Sequence, residues 1–546
     1  MKRKAVAAVL TAVMVASMFT GCGSDNGSSS AKSASAASAA SAANDTVDED
    51  GKVNGIMYQE GLPLVDEGDY TFSIFCDDSS ESGEFIMLDE FKKQTNVDVD
   101  LKIYPYETAT ERLNLDLNSG DYADVIGGWT LSDNAILTYG VNQGVFIPLE
   151  DYFEKYCPNI SAILDLPGVR EKMTAPDGHI YTIPYVCTDT TVGYSPYINT
   201  KWLENVGMSM PTTTDEFEAV LKAFKEQDAN GNGDASDEIP FSTDPNNKHI
   251  EAMAGYFGLP MNKLGIAIQN EKVVYGGVSD TYREFLSWFH KLYAEGLVDV
   301  ELYTQDSSTW EGKGNQDLYG VSIAYGSNEF TGIPAAEERG DFDSMPVLNT
   351  DKDGIWLRDT EGFSVYRTQA VITNKAEHPE IICRWFDNAF ALENGIGCNR
   401  GPVGVIVNKE DDGYHAIDTT TLSEEDQEKY SWGNLWPQSL PKYLPVDFEF
   451  VEEHPMYDEK KATEEAYEAN LTKEIIPSYW IDWDKIDTFS DTNTAIKDFF
   501  EQQQAQFVCG ELDIDNDADW QAYVDGMYSL GLEDWVATQG IEEIAK

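Results

Sequence analysis

Tyr70-Thr-Phe-Ser-Ile-Phe-Cys76 opens the stretch of chain that decides the fold, residues 70–129. Its apolar and polar residues alternate, which predicts a strand. The rest of the stretch predicts a helix, a strand, a helix and a short strand in turn, over residues 84–95, 97–104, 109–118 and 123–129. Strands that alternate with helices predict a parallel sheet with covered faces, so the fold class is α/β.

The ends of these strands are the first place to look for a ligand. In open α/β sheets, ligands bind beyond the carboxyl ends of the strands. In this chain those ends are residues 77–81, 105–106 and 127–129. They carry carboxylates and aromatic rings.

The rest of the body is predicted to be mainly helical with strand interruptions. Thr213 and Glu216 have the spacing of a capping box, which opens a helix to about Gln227. Another helix is predicted from Asp280 to Glu295, and it stops at Gly296, as a glycine C-cap should. Residues 365–374 predict a strand that returns to the part of the fold formed by residues 70–129, and the tail is predicted to be largely helical.

The N-terminus predicts export and lipid attachment. Lys2, Arg3 and Lys4 precede an apolar run that is too short for a convincing membrane span. Phe19-Thr20-Gly21-Cys22 resembles the lipobox of bacterial lipoproteins, although leucine is usual where Phe19 stands. We expect residues 1–22 to be a lipoprotein signal peptide and Cys22 to carry the lipid at the outer face of the cell membrane. An ordinary cleaved signal peptide is the alternative.

The segment after Cys22 is predicted to be a tether. Residues 23–44 are almost all Ser, Ala, Gly and Asn, which cannot bury enough surface to fold. An acidic stretch follows, and the disordered tether is predicted to span residues 23–65. A flexible chain of this kind gives reach without a fixed direction.

The composition limits the partners. About 480 residues follow the tether, which is too long for one core and predicts at least two domains. A net charge of −60 argues against nucleic acid and against docking on anionic lipid. The six cysteines other than Cys22 are scattered without CxxC spacing, so buried thiols are expected, with one or two disulfides left open.

One loop has the spacing of a calcium site. In the run from Asp228 to Glu238, oxygen-bearing side chains alternate at the first, third and fifth positions and glycine stands sixth. The expected ligands are Asp228, Asn230, Asn232, Asp234, Asp237 and Glu238. An EF-hand has glutamate at position twelve, where this chain has Ile239, so the closing ligands must have a different geometry. The alternative is a turn that binds nothing.

No catalytic motif was found. GxSxG, HExxH, GxxxxGK[ST] and GxGxxG do not occur, and the six histidines are far apart. Carboxylates are too numerous for any pair to be assigned to glycoside hydrolysis. We therefore predict that the protein is not an enzyme.

Several motifs in sequence order resemble one family, the large lipid-anchored carbohydrate-binding proteins of bacterial ABC importers (extracellular solute-binding family 1, with a calcium loop). The similarity runs from about Tyr70 to the C-terminus. It rests on the residues of 111–125, which are similar to the family's SGDxPD step, and on Asp177-Gly-His-Ile-Tyr181-Thr-Ile-Pro184, Asn199-Thr-Lys-Trp202-Leu-Glu-Asn-Val-Gly207, Pro211-Thr-Thr-Thr-Asp-Glu-Phe217, Lys291-Leu-Tyr-Ala-Glu-Gly296-Leu-Val-Asp299, Phe507-Val-Cys-Gly510 and Leu530-Gly531-Leu532.

This resemblance implies two α/β lobes of the periplasmic-binding-protein type, with a hinge and a ligand cleft between them. We expect residues 66–187 and about 365–410 in the N-terminal lobe, and 188–364 and about 411–546 in the C-terminal lobe. The implied partners are an oligosaccharide and the membrane-spanning subunits of an ABC importer. A monomer with structural Ca²⁺ is expected.

Sugars present apolar C–H faces and polar edges, so their sites combine aromatic rings with polar groups. Trp129 is the first candidate because it follows a sheet strand. The further candidate ligand residues are Asp77, Asp78, Glu81, Tyr185, Asp189, Trp310, Tyr325, Trp432 and Trp436.

Two other functions stay open at this point. A non-transport receptor for a peptide or signal would share the fold and the anchor. A surface enzyme that degrades polysaccharide would also need aromatic residues and a cleft. Ligand binding without turnover distinguishes a transport receptor from the enzyme.

Overall fold

The computed structural model describes most of the chain after its first 44 residues. The described residues are 45–78, 84–245, 249–332, 340–445, 448, 450, 451, 455–478, 480, 481 and 485–545. The predicted signal peptide, Cys22, residues 23–44 of the predicted tether and Glu81 lie outside these ranges. No helix within them combines the length and apolar character needed to cross a bilayer.

The strands of the described chain are named here in chain order. They are β1 Lys52–Val53, β2 Met57–Tyr58, β3 Tyr70–Asp77, β4 Val97–Tyr104, β5 Val125–Gly127, β6 Thr182–Thr188, β7 Ser195–Asn199, β8 Ile239–Thr243, β9 Ile266–Gln269, β10 Lys272–Tyr275, β11 Tyr319–Ala324, β12 Phe342–Ser344, β13 Trp356–Arg358, β14 Phe363–Ile372, β15 Val407–Glu410, β16 Gly413–Ala416, β17 Leu471–Ile475 and β18 Glu543–Ile544.

The helices are named in the same way. They are α1 Ile86–Thr95, α2 Tyr106–Ser119, α3 Asp133–Ala135, α4 Glu150–Tyr156, α5 Pro158–Leu164, α6 Val169–Met173, α7 Thr200–Val206, α8 Thr214–Glu226, α9 Asp280–Ala294, α10 Ser307–Asn315, α11 Asn328–Thr331, α12 Pro379–Ala389, α13 Leu392–Arg400, α14 Glu424–Lys429, α15 Pro455–Tyr467, α16 Ile486–Cys509, α17 Asp517–Ser529 and α18 Leu532–Thr538. A π-helical segment covers Ile136–Asn142, and 3₁₀ turns include Ile250–Phe257 and Trp432–Asn434.

The first lobe is built on a five-stranded sheet of order β4-β3-β5-β14-β6. β3 pairs in parallel with β4 along its whole length and with β5 at its carboxyl end, while β14 is antiparallel to β5 and β6. The strand–helix alternation predicted over residues 70–129 is confirmed, and so is the return of the predicted 365–374 strand as β14. Three parallel strands therefore end at one edge of this sheet.

The ordered body begins before the predicted boundary at residue 66. Val53, Met57 and Val65 are fully buried in the core of the first lobe, beside Phe91 and Trp385. The main-chain N–H of Leu64 also donates to the carbonyl of Thr95 at 2.9 Å. The predicted extension of the tether to residue 65 is wrong, because a few apolar side chains between glycines and acids suffice to dock this segment.

The second lobe has a four-stranded sheet of order β12-β7-β11-β8 and a large helical core. β11 is antiparallel to β7 and parallel to β8. Helices α8, α9 and α16 contribute Phe217, Phe285 and Phe500 to one buried cluster. Thr213 caps α8 as predicted, since its hydroxyl accepts from the main-chain N–H of Glu216 at 3.2 Å.

The chain crosses between the lobes more than once. Residues 189–194 lead from β6 to β7, and residues 359–362 return from β13 to β14. Trp436 and Leu440 belong to the first lobe's core, although the predicted boundaries placed about 411–546 wholly in the second lobe. The crossings put the ends of both sheets beside one another.

The cysteines of the described chain are free thiols. Cys76, Cys157, Cys383 and Cys398 are buried, whereas Cys187 is half-buried and Cys509 is exposed. Burial raises the pKa of Cys76 and Cys398 well above the ordinary value. The expectation of buried thiols is met at four positions.

Met57→Ala tests whether residues 52–65 belong to the body. We expect the free energy of unfolding to fall by about 2–5 kcal/mol, because the substitution leaves a cavity in a packed core. Val47→Ala is the matched control, since Val47 is exposed, and its effect should stay within about 0.5 kcal/mol. Urea unfolding followed by circular dichroism measures both, and equal effects would contradict the docked position.

Candidate functional site

A cleft of about 410 Å³ lies where the two lobes meet. Its walls come from the crossing segments and from the strands that lead into them. The lining residues are Trp129, Tyr185, Cys187, Thr188, Asp189, Thr190, Gly193, Tyr194, Tyr325, Asp359, Thr360 and Tyr366. Four of the predicted ligand residues, Trp129, Tyr185, Asp189 and Tyr325, therefore lie together.

The turn that presents Trp129 is built around the carboxylate of Asp77. This carboxylate is buried and accepts the main-chain N–H groups of Trp129 at 3.0 Å and Thr130 at 2.6 Å. Gly128 adopts φ 130°, and a Cβ there would lie 2.3 Å from the Asp77 carboxylate. Only glycine fits this approach. Asp77 was predicted to contact ligand, but the structure gives it the task of holding the turn.

Trp129 belongs to an aromatic group on the floor of the cleft. Its ring centroid lies 5.2 Å from that of Tyr366 in an edge-on arrangement, and Tyr366 stacks on Tyr185 at 5.5 Å. Such geometries are favourable for aromatic pairs. Trp129 keeps 47% of its surface exposed. An exposed ring with fixed neighbours offers a flat apolar face to a ligand.

Asp189 joins hydroxyl groups from both lobes. One carboxylate oxygen accepts from Tyr325 of the second lobe at 3.2 Å. The other accepts from Ser364 and from Tyr366, at 3.5 Å, on β14 of the first lobe. This carboxylate therefore sits at the point about which the lobes are joined.

The second-lobe wall carries a cation that the sequence analysis did not single out. Lys460 of α15 lies 3.7 Å from the centroid of the Tyr325 ring, and its ammonium donates to the carbonyl of Gly193 at 3.0 Å. Cation–π contact of this kind stabilises both groups. Tyr194 stands edge-on to Tyr325 at 6.0 Å.

Asp78 and Trp432 lie at the same sheet edge but outside the cleft lining. Asp78 is buried and accepts from the main-chain N–H of Gln438 at 2.7 Å. Trp432 is 57% exposed, and the buried ammonium of Lys442 lies 5.3 Å from its ring centroid. Lys442 also donates to the Gln438 side chain at 2.7 Å.

Two predicted ligand residues are buried away from the cleft. Trp436 is fully buried in the first lobe's core and stacks on Trp385 at 5.7 Å. Trp310 is 3% exposed, and its indole N–H donates to Ser322 inside the second lobe, beside a smaller cavity. Both predictions of cleft contact are wrong, because irregular sequence around an aromatic residue does not distinguish a core anchor from a surface ring.

Tyr366 and Lys460 were missed for opposite reasons. Tyr366 lies in a strand that was predicted correctly. Its place in the cleft depends on how β14 pairs with β6, where the register shifts between Tyr366 and Ala370, and that pairing is not known from the sequence alone. Lys460 is one lysine in an ordinary helix. Its role depends on α15 packing beside a crossing segment, which no local pattern encodes.

The loop predicted to bind calcium joins α8 to β8. Its side chains are turned inward on its own backbone: Asp228 accepts from the N–H of Gly233 at 2.9 Å, and Asn232 accepts from that of Asp234 at 2.8 Å. Gly231 and Gly233 both have positive φ, which a tight loop of this kind needs. Asn232 also donates to Asp237 at 2.7 Å.

Two oxygens in this loop have no hydrogen-bond donor. Asp228 Oδ1 and Glu238 Oε2 are buried and unpartnered within the described chain. Burial, and then the neighbouring Asp237, raise the pKa of Glu238. Buried carboxylate oxygens of this kind are costly unless a cation or donor satisfies them. The residues therefore fit a hard cation with oxygen ligands.

Two α/β lobes, joined by several crossings and enclosing an aromatic cleft at strand ends, define a two-lobed ligand-binding protein. The chain belongs to the bacterial extracellular solute-binding protein family, whose model matches residues 78–395.

Sequence and structure comparisons agree with this assignment. The chain is 31% identical over 411 residues to the fructooligosaccharide ABC transporter substrate-binding protein FusA of Streptococcus pneumoniae, covering 73% of this chain and 70% of FusA. The structure of FusA in complex with kestose matches 86% of this chain and 98% of its own at a TM-score of 0.75 and 26% identity. A FusA EF-hand mutant in complex with fructo-nystose matches with a TM-score of 0.73, 27% identity and the same coverage.

Lys442 gives the molecule a pH dependence that can be measured. Burial lowers the pKa of Lys442 from 10.5 to about 8. The unfolded chain then holds the proton to higher pH than the folded chain, so stability rises as the pH increases through about 8–10.5. Lys442→Met removes this titration.

We expect the free energy of unfolding of the natural protein, minus that of Lys442→Met, to increase by about 1–3 kcal/mol between pH 8 and 10. Urea unfolding at pH 7, 8, 9 and 10 measures the difference. If the free energies of unfolding of the two proteins differ by the same amount at every pH, the ammonium is not buried as described.

Proposed function

We propose that this protein captures a carbohydrate, in the form of an oligosaccharide, and delivers it to an ABC importer. The observation that carries the proposal is the grouping of Trp129, Tyr185 and Tyr366 beside the Asp189 carboxylate at the junction of the lobes. Aromatic rings match the C–H faces of sugars, and the tyrosine hydroxyls that Asp189 holds in place can hydrogen-bond to their polar edges. FusA, a relative of similar length, is described as binding fructooligosaccharides.

Binding proceeds by closure of the lobes over the ligand. The crossing segments are the natural hinge, because few residues there absorb the change between open and closed forms. Tyr325, which follows β11 of the second lobe, lines the same cleft as Trp129 of the first lobe. A ligand that contacts both walls stabilises the closed form by its differential affinity.

The same proposal treats the protein as a receptor and not an enzyme. The cleft carboxylates Asp189 and Asp359 are each engaged, Asp189 with three hydroxyls and Asp359 with the N–H of Gly193 at 2.7 Å. Glycoside hydrolysis instead needs two carboxyl groups that flank one bond. The relatives named above are substrate-binding proteins.

The proposal includes a place and a partner. A lipid on Cys22 holds the chain at the outer face of the cell membrane as a monomer, and residues 23–44 give it reach. The membrane-spanning subunits of the importer receive the closed, loaded form. The lipobox resemblance and the extracellular family support this location.

The proposal also includes a structural calcium ion. Asp228, Asn230, Asn232, Asp237 and Glu238 would hold it with side-chain oxygens, and Asp234 with its carbonyl. The ion would fix the loop that connects α8 to β8, and it would neutralise the two unpartnered carboxylate oxygens.

Trp129→Ala tests the cleft. Affinity for an oligosaccharide should fall at least about tenfold, equivalent to 1.4 kcal/mol, because the exposed face of the ring is lost. Trp129→Phe should lose less. Isothermal titration against a panel of neutral and acidic oligosaccharides that includes kestose and nystose measures this.

Tyr528→Ala is the matched control, since Tyr528 is exposed on α17 in the second lobe, outside the cleft lining. Chromatography of each glycan after incubation with the protein completes the experiment. Cleaved glycan would overturn the receptor proposal in favour of the enzyme. A blank panel, with binding to a peptide instead, would favour the non-transport receptor.

Removing calcium tests the loop. EDTA should lower the midpoint of thermal unfolding, because an ion at a hundred times its dissociation constant contributes about 2.7 kcal/mol to stability. Glu238→Gln keeps the hydrogen bond from the Ala229 N–H and removes one negative charge. It should therefore weaken binding of the ion and reduce the fall in the unfolding midpoint that EDTA causes. Asp353→Asn, at an exposed carboxylate elsewhere, should not. An unchanged melting curve in EDTA would count against the site.

A further inference from the structure

Two exposed aromatic residues stand at the edge of the first-lobe sheet, beyond the cleft that Trp129 lines. Tyr106 follows β4 at the start of α2 and is 41% exposed. Trp432 lies in a short 3₁₀ turn and is 57% exposed. Among the described residues of this edge outside the cleft, they are the large aromatic rings that belong to no buried core cluster.

Trp432 is held as a platform with one face covered. The buried ammonium of Lys442 lies 5.3 Å from its ring centroid, and the same ammonium donates to Gln438 at 2.7 Å. The Gln438 side chain in turn donates to the carbonyl of Trp432 at 2.8 Å. Lys442 is itself buried, with 3% of its surface exposed, so it covers the part of the ring that it contacts. The rest of the Trp432 ring is the surface presented to solvent.

Asp78 ties this platform to the sheet and to Tyr106. Asp78 follows β3, and it accepts from the main-chain N–H of Gln438 at 2.7 Å. The main-chain N–H of Asp78 donates to the carbonyl of Tyr104 at 3.2 Å, and Tyr106 begins α2 two residues later, at the same strand ends. The group therefore combines two exposed aromatic rings with one buried carboxylate.

The order of the sheet sets the distance between the two aromatic groups. Tyr106 and Asp78 follow β4 and β3, whereas Trp129, Tyr366 and Tyr185 belong to β5, β14 and β6. Neighbouring strands lie about 4.8 Å apart, close to the length that one sugar ring adds to a glycan chain. Tyr106, after β4, is therefore two to three strand spacings, about 10–15 Å, from Trp129 after β5 and Tyr366 on β14, which is the span of a short oligosaccharide. Trp432 is linked to the same side of the sheet through the hydrogen bonds of Gln438 with Asp78 and with the carbonyl of Trp432.

We propose that Tyr106 and Trp432 form a second sugar platform, so that the site takes an uncharged oligosaccharide whose outer rings extend from Trp129 along the sheet edge. This inference rests on the proposed function and adds the length of the ligand to it. Acidic sugars are disfavoured because the carboxylates of Asp189 and Asp359 line the cleft and that of Asp78 lies beside the second platform.

Affinity measured along a length ladder tests the second platform. Sucrose, kestose and nystose grow by one ring at each step, and cellobiose, cellotriose and cellotetraose form a second ladder. With the full-length mature chain, affinity should rise with length. Trp432→Ala should reduce the affinity for the longest member at least about tenfold and leave that for the shortest within about twofold, while Trp432→Phe restores part of the loss.

Tyr106→Ala should have the same length-dependent effect, whereas Trp129→Ala should weaken every length. Tyr528→Ala controls for loss of an exposed ring, and thermal unfolding of each variant checks the fold. Equal losses at all lengths, or no loss at any, would overturn the second platform and leave the proposed function standing. If neither ladder binds and acidic oligosaccharides do, the uncharged class is wrong. If no glycan binds, the proposed function falls together with this inference.

Discussion

Main-chain hydrogen bonds between the two crossing segments fix the place where the lobes meet. The N–H of Asp189 donates to Gly362 at 3.1 Å, and that of Asp359 donates to Thr191 at 3.0 Å. These bonds satisfy backbone groups that would otherwise be orphaned between two cores. They also bring the end of β6 and the start of β14 alongside one another. The aromatic floor, the Asp189 hydrogen bonds and the contact of Lys460 with Tyr325 all depend on this pairing.

The sequence predicted the parts of the fold that local pattern determines. The alternation over residues 70–129, the cap at Thr213 and the position of Trp129 after β5 are each properties of a few neighbouring residues, and the structure has them as predicted. The residues that surround the cleft were predicted only in part. Tyr366 and Lys460 reach it from parts of the chain far from Trp129, because strand order and helix packing place them there. Those relations have no signal in a single sequence.

The wrong predictions have a common physical cause. Trp436 and Trp310 were assigned to the cleft because they lie in irregular sequence, yet a large ring in a loop is as able to fill a core as to face solvent. Residues 52–65 were assigned to the tether as a continuation of the Ser/Ala-rich segment and the acidic stretch that precede them. Three or four apolar side chains decide the matter, since burying each one contributes about 1.5–3 kcal/mol. Average composition hides contributions of that kind.

The turn around Asp77 has a consequence for the kinetics of recognition. The backbone of Trp129 is fixed by bonds to a buried carboxylate and by a glycine that admits no other residue. Its ring therefore loses little conformational entropy on contact with a ligand. Among related ligands of one site, association rates differ less than lifetimes, so the lifetime of the complex carries most of the discrimination between one glycan and another. In such a receptor, the residence time of a glycan, and not its association rate, distinguishes the preferred ligand from others.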